Sequence, residues 1–222
     1  MQIQGVSTIQ RQAGCAKPLV LIIQEGLIVV RAFVAIEIPV KIRRQLVEQI
    51  AHLKQRIPSR TVRWVRLEGI HLTLKFLGDV ALDKLDQITV LLEEVGLRHT
   101  PFRIDISQFG CFPNPRRPRV LWVGVEDKLG VLTNLQADLE SGLSQIGFER
   151  ETRPFHPHLT LGRVKRGAHH SAVRSLSTIL EEVTIGDLGQ VNVDEICLIR
   201  SDLKPTGAVY TRLAMAKLEA VR

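Results

Sequence analysis

Hydrophobic positions along the chain follow two periods, and the switches between them mark the elements. Residues 27–36 (LIVVRAFVAI) form a β-branched run that stops at Pro39, a residue suited to the first turn of a helix. Ile42, Leu46, Ile50 and Leu53 then recur at helical spacing, with Lys41, Arg43, Arg44 and Lys54 mostly off that stripe, until Pro58 ends the element. A short strand at 62–65 and a second at 71–77, closed by Gly78, come next. Leu82, Leu85, Ile88, Leu92 and Val95 predict a helix ending at Gly96, and Phe102, Ile104 and Ile106 alternate as a strand. The first half therefore reads β-α-β-β-α-β.

The turn-rich segment FPNPRRPR, residues 112–119, separates this half from a second. There, a strand at 120–125 leads to a helix with Leu129, Leu132, Leu135, Leu139, Leu143 and Ile146 on one face, ended by Gly147. A strand at 158–163, a helix near 170–182, and strands near 190–200 and 208–216 complete the order. The pattern predicts an α+β fold of two similar lobes, each a mostly antiparallel sheet with helices on one face. A pseudo-twofold axis would relate the lobes around a central groove. Whether strands are exchanged between the lobes is not determined by this pattern.

The tetrapeptide His-Leu-Thr-Leu occurs twice, at residues 71–74 and 158–161, each time inside a predicted strand. Alternation places His71 and Thr73 on one face and two leucines on the other, and does the same for His158 and Thr160. Internal duplication explains the repeat better than chance does. A single strand histidine is most often a hydrogen-bonded structural residue. Two imidazoles meeting across a groove can instead divide acid and base work, since each titrates near neutrality. The neighbouring threonines offer hydroxyl donors to an anionic oxygen without adding negative charge, an arrangement that suits a phosphodiester.

At 222 residues with 45% hydrophobic content, the chain can bury a substantial core. An excess of 30 Lys+Arg over 23 Asp+Glu gives a net charge of +7 and favours a polyanionic partner such as nucleic acid. Cys15, Cys111 and Cys197 are far apart, lack metal-site spacing, and read as thiols of a reducing compartment. The apolar stretch at 19–30 is interrupted by Gln24, Glu25 and Gly26, so no membrane span is expected, and a cytoplasmic location is the default.

The chain resembles the two-histidine phosphoesterase superfamily, and within it the RNA 2′,3′-cyclic phosphodiesterase family, also called 2′-5′ RNA ligases. The resemblance rests on RAFVAIEIP at 31–39, HLTLKFLG at 71–78, FPNPRRPRVLWVGV at 112–125, RPFHPHLTLGR at 153–163 and SDLKPTGAVYTRL at 201–213. It spans roughly residues 30–216, and the paired motifs with their flanks are specific where either alone is not. It implies two lobes around a shared groove, a catalytic set of His71, Thr73, His158 and Thr160, and hydrolysis of a terminal 2′,3′-cyclic phosphate to a 2′-phosphate without metal or other cofactor. Reversible 2′-5′ joining is implied for some members. The substrates implied are RNA ends or small cyclic nucleotides, handled by a monomer.

Arg163 matches the family's arginine after the second motif and would hold phosphate. It lies five residues beyond His158, an odd offset that in a regular strand points it away, so that role requires a bulge or bend near Gly162. Lys75, four beyond His71, falls on the correct face of a regular strand and is a second phosphate candidate. Arg116 and Arg117, with Arg119, form a proline-punctuated basic loop suited to an RNA backbone or simply to water. Phe33 is a candidate because the family's first strand borders the groove; Trp64, Trp122 and Phe155 are base-stacking candidates whose commoner role is core. His156 shares a face with His158, so a three-histidine zinc site with His71 is a competing arrangement, although it leaves the threonines unexplained. His52, His99, His169 and His170 read as structural or solvent-facing.

Residues 1–28 have no counterpart in the family. They are expected to be a weakly ordered leader, or a start assigned too far upstream, ahead of a single bilobal domain at 29–218. The rival reading of the whole is a non-catalytic RNA-end or tRNA-binding module using the same groove.

Overall fold

The computed structural model describes residues 22–24, 27–205 and 207–219. In order the elements are β1 (Ile22–Gln24), β2 (Leu27–Glu37), α1 (Val40–Arg56), β3 (Val62–Trp64), a 3-10 turn (Leu67–Gly69), β4 (His71–Ala81), α2 (Lys84–Gly96) and β5 (Phe102–Phe112). The second half follows as β6 (Val120–Glu126), α3 (Val131–Gln145), β7 (His158–Val164), α4 (His170–Glu182), β8 (Gln190–Val193), β9 (Glu195–Lys204) and β10 (Gly207–Lys217). The expected leader lies outside the described residues, apart from β1 and the first residues of β2, which pair antiparallel with each other.

The ten strands form one curled sheet of four-helix, α+β architecture in the order β10-β9-β2-β4-β7-β6-β5-β8, with β1 added on β2 and β3 on β7. Every described strand pair is antiparallel. Alternation sorts the two faces. Val30, Ala32, Val34 and Ile36 of β2 join the main core with Ile42, Leu46, Ile50 and Leu53 of α1, Leu92 of α2, Leu139 of α3 and Leu176 of α4. The intervening Phe33 and Ala35 join only a small cluster with Cys197 and Ile199, with Tyr210 packed against it. Helices thus cover one face, and the other is left for a groove.

The two HLTL strands are neighbours, but their ladder holds a single residue pair, Leu72 opposite Leu159. Beyond it they diverge: β4 continues along β2, and β3 takes the free edge of β7 with Trp64 opposite Gly162. The repeat extends to the irregularities. Thr73 faces Ala35 and Lys75 faces Val34, skipping Leu74; Thr160 faces Trp122 and Gly162 faces Leu121, skipping Leu161. Each motif is followed by a bulge at its second leucine, which turns the next residues over.

Strands are exchanged between the halves. β5, reached from β4 through α2, pairs with β6 and β8, while β9 pairs with β2. The predicted strand near 190–200 is two strands parted at Asp194, β8 at one end of the strand order and β9 next to the strand at the other. One residue bridges those ends only because the sheet curls back on itself there, an approach sealed by Leu218 N–H donating to the Asp194 carbonyl at 2.8 Å.

Three further boundaries differ from expectation. β4 does not stop at Gly78 but passes it at φ +70 and runs to Ala81. The third helix starts at Val131 rather than at Leu129, which is 83% exposed. Gly130 at φ +72 turns the chain there, and the Asp127 carboxylate accepts from Leu129 and Leu132 N–H, so the turn takes the place of a first helical turn. β5 runs on to Phe112 through a bulge at Gln108. No helix among the described residues is long and apolar enough to cross a membrane.

Gly162 completes the second bulge because a Cβ there would sit 2.6 Å from Val62 Cγ1 and 3.1 Å from Trp64 Cε3. Gly162→Ala is therefore expected to cost about 1–3 kcal/mol by overpacking, read as a lowered urea midpoint; an unchanged midpoint would contradict this account of the bulge.

Candidate active site

A broad groove of about 2460 Å³ runs along the uncovered face, and His71, Thr73, His158, Thr160 and Arg163 all line it. Each His–Thr pair sits on the groove side because Leu72, Leu74, Leu159 and Leu161 are buried on the other. The four residues expected to act together are thus brought together.

The two imidazoles are held differently. His71 stacks on Phe33 at a centroid distance of 4.6 Å and meets the edge of Tyr210 at 5.1 Å. Burial in that aromatic cage pushes its pKa down from 6.5 to about 4. His158 is flanked edge-on by Phe112 at 5.0 Å, and its Nδ1 lies 2.7 Å from the carbonyl oxygen of His156. A carbonyl only accepts, so Nδ1 carries the proton and Nε2 of the neutral ring is bare. Burial lowers the His158 pKa, the His156 carbonyl opposes this, and the nearby Arg163 and His156 charges lower it further.

The bulge that Arg163 requires is present. Skipping Leu161 puts Arg163, exposed, on the groove side opposite Val120 of β6 and Arg63 of β3. The same device acts at Lys75. The bulge at Leu74 sets it opposite Val34, so it reaches the groove wall only at 7% exposure, with its ammonium 2.7 Å from the Glu140 carboxylate of α3 and 2.5 Å from the Glu149 carbonyl. Lys75 is an ion-pair partner of Glu140 at the groove wall, a contact that regular alternation does not reveal. Phe33 lines the groove but is only 3% exposed, its ring backing that of His71. Arg116 and Arg117 are exposed on the 113–119 loop and do not line the groove.

Among residues not singled out beforehand, Phe76 occupies the position in β4 that Arg163 occupies in β7. It is 64% exposed and lines the groove, with its ring 5.9 Å from Phe33. Arg63, also lining the groove, and Tyr210 are likewise part of the wall. Comparing the residues after each bulge, rather than counting by two from each histidine, finds Phe76; Tyr210 arrives from the distant β10 and carries no local signal. Trp64 and Phe155 pack against the main core and also line the groove, and Trp122 lies near His158 with ring centroids 6.4 Å apart.

Among the described residues, the set of three potential ligands gathered within 4.8 Å is Glu37, Glu195 and Cys197, and His71, His156 and His158 do not form one. The Arg212 guanidinium already pairs with both Glu37 and Glu195. Burial, with the two carboxylates nearby, pushes the Cys197 thiol up to about 12, so this cluster is an ion-paired strand edge.

A family model for the 2′-5′ RNA ligase superfamily matches residues 39–205. The chain belongs to this family. It is 35% identical over 191 residues to the RNA 2′,3′-cyclic phosphodiesterase of Methanothermobacter thermautotrophicus, covering 85% of this chain and 99% of that protein. It is 37% identical over 183 residues to the protein of the same name from Archaeoglobus fulgidus, covering 82% and 97%. Among solved structures, a Thermus thermophilus protein superposes with a TM-score of 0.71 at 29% identity over 86% of this chain and all of that one. E. coli LigT complexed with 3′-AMP gives 0.68 at 28% identity, covering 86% and 98%.

Two measurements check the wall. In Phe33→Ala, water reaches the His71 ring, so an NMR titration should move its pKa upward from about 4 toward 6.5; no movement would contradict the caging. Lys75→Ala strands the Glu140 carboxylate and should lower unfolding free energy by about 3–5 kcal/mol in denaturant melts. A loss under 1 kcal/mol would contradict that account of the ion pair.

Proposed function

We propose that this protein opens 2′,3′-cyclic phosphate ends of RNA or small nucleotides to 2′-phosphomonoesters, with His71 and His158 as the acid–base pair. The observation that carries the reading is the presence, in one groove wall, of two imidazoles each with a threonine two residues on, beside an arginine. The relatives named RNA 2′,3′-cyclic phosphodiesterase support the same substrate class.

His158 is the better base of the two. Its Nδ1 proton is committed to the His156 carbonyl, leaving Nε2 to take a proton from water as the oxygen attacks phosphorus. His71, uncharged in the empty groove, gains its proton when the phosphate anion lies beside it, and delivers it to the departing O3′. A ring with so depressed a pKa is a strong donor once charged. Thr73 and Thr160 donate to the non-bridging oxygens, and Arg163 neutralises the charge that grows on them. The mechanism needs no metal. Phe76 offers an exposed ring face for the nucleobase next to the cyclic end. We infer a monomer acting alone on its substrate.

The productive free enzyme carries one proton on the pair. Both pKa values lie below 6.5, so above that pH both rings are neutral and the active form thins tenfold per unit. kcat/KM should therefore peak on the acid side of 6.5 and decline toward pH 8, while kcat, read with phosphate bound, holds to higher pH. A kcat/KM that climbs from pH 6 to pH 8 would refute this.

The decisive assay offers an oligonucleotide with a 2′,3′-cyclic end and looks for the new phosphomonoester, with its position determined. His71→Ala and His158→Ala should each lower turnover by roughly 10²–10⁴, with folding intact and with EDTA harmless to the native protein. Binding without any phosphomonoester would favour a non-catalytic RNA-end module.

A further inference from the structure

Charge is not spread evenly along the chain. Residues 49–67, 106–125 and 152–180 hold 13 of its 30 Lys+Arg and none of its 23 Asp+Glu, so the rest of the chain carries 17 against 23. The fold brings parts of these three stretches side by side, because β3 and β6 flank the end of β7. β3 starts with Val62 opposite Val164, and β6 starts with Val120 opposite Arg163. The turns before β3, before β6 and after β7 therefore leave the sheet at one rim. Exposed on that rim are Arg60, Arg116, Arg117, Arg119, Lys165 and Arg166.

The rim is built rather than loose. Arg119 N–H donates to the Phe112 carbonyl at 2.7 Å, Val164 N–H to the Arg119 carbonyl at 2.9 Å, and Lys165 N–H to the Thr61 carbonyl at 2.9 Å, which ties the three turns together. Pro113, Pro115 and Pro118 restrict the middle turn further. Behind the rim, Arg63 and Arg163 sit directly opposite each other in the ladder and line the groove. Like charges so placed repel, a cost that an anion lying between them removes. No ion pair among the described residues includes any of these eight cations. From Arg163 back to His158 is five residues, about 17 Å of strand.

The composition of the turns selects the polyanion. Residues 58–61, 113–119 and 165–168 contain no Phe, Tyr or Trp. Proteins that hold unpaired strands combine cations with aromatic platforms for the open bases, whereas a duplex has closed bases and is gripped by its backbone. We propose that this rim seats the phosphate backbone of a double-stranded RNA stem, whose unpaired 3′ end runs over Arg63 and Arg163 into the groove. The proposal rests on the acid–base reading of the groove for the destination of that end. The rim itself lies outside the reacting atoms and acts on affinity alone.

The test has a binding arm and a turnover arm. Binding uses the native protein and a labelled RNA hairpin with an unpaired 3′ overhang ending in a 3′-hydroxyl, read by fluorescence anisotropy over a salt series. Turnover compares the same hairpin carrying a 2′,3′-cyclic end with a nucleoside 2′,3′-cyclic phosphate. The double variants Arg116→Gln with Arg117→Gln, and Lys165→Gln with Arg166→Gln, should each weaken hairpin binding about tenfold and lower the slope of log Kd against log salt by about 1–2. Both should keep kcat/KM for the nucleoside cyclic phosphate within about twofold of native, which also shows that they fold. Full-strength hairpin binding in both variants, an unchanged salt slope, or an equal loss on the nucleoside cyclic phosphate would overturn the proposal. So would an unpaired RNA of the same length that binds as tightly and loses as much, by giving the rim to single strands. Absence of hydrolysis of either cyclic substrate by the native protein would instead overturn the reading of the groove, and the hairpin binding, which needs no turnover, would still decide the rim.

Discussion

The groove face depends on a single constraint: four leucines must be buried against the helices. Leu72, Leu74, Leu159 and Leu161 are all within 3% of full burial, and with two residues per repeat their burial leaves no choice about where His71, Thr73, His158 and Thr160 point. A slip of one residue would expose four leucines and bury two imidazoles and two hydroxyls. The core thus enforces the site, and the burial of each leucine is worth on the order of 2 kcal/mol toward keeping that register. The bulge after each motif then resets the alternation, so that the residue five beyond each histidine rejoins the histidine's face.

From equivalent places around their bulges the two motifs diverge in environment. One ring is wedged among Phe33 and Tyr210, with burial as the cause of its lowered pKa; the other is tethered by a backbone carbonyl and looks toward Arg163. The residues after the bulges diverge as well, an arginine in one half and an exposed phenylalanine in the other. The motif recurs, and its two histidines have unequal neighbours.

Much of this was readable beforehand, and the failures have specific physical causes. The helices were marked by Leu and Ile at helical spacing and by Pro58, Gly96 and Gly147, because burial of one stripe and the backbone limits of those residues are local properties. The groove-side placement of the two His–Thr pairs followed from alternation around HLTL. Alternation did not show the ion pair of Lys75 because a bulge is decided by the partner strand, and β2 contributes Val34 and Ala35 to that decision from some forty residues away. The same ignorance made Arg163 an apparent objection. Phe33 was placed at the groove correctly, but its stacking on the His71 ring is a contact between separate strands that the sequence does not display. The split at Asp194 was hidden because Val191, Val193 and Ile196 through Ile199 read as one apolar run, and which sheet end each part joins is a matter of curl.

The exchange of strands carries a consequence for how the molecule holds together. A tandem duplication ordinarily leaves two modules that can part company, but here the segment following the first repeat completes the sheet of the second, and β9 returns to lie on β2. Severing the chain between the repeats would leave each fragment short of a strand and with an open edge ready to pair with strangers. Assembly must wait for the last third of the chain, since the stretch of β2 from Ala32 to Ala35 gains its partner on that side only when β9 exists. The mutual loan of strands welds two copies of a motif into one cooperative unit, and so keeps its two imidazoles at a fixed mutual bearing that two hinged modules would lose with every flexing of the link between them.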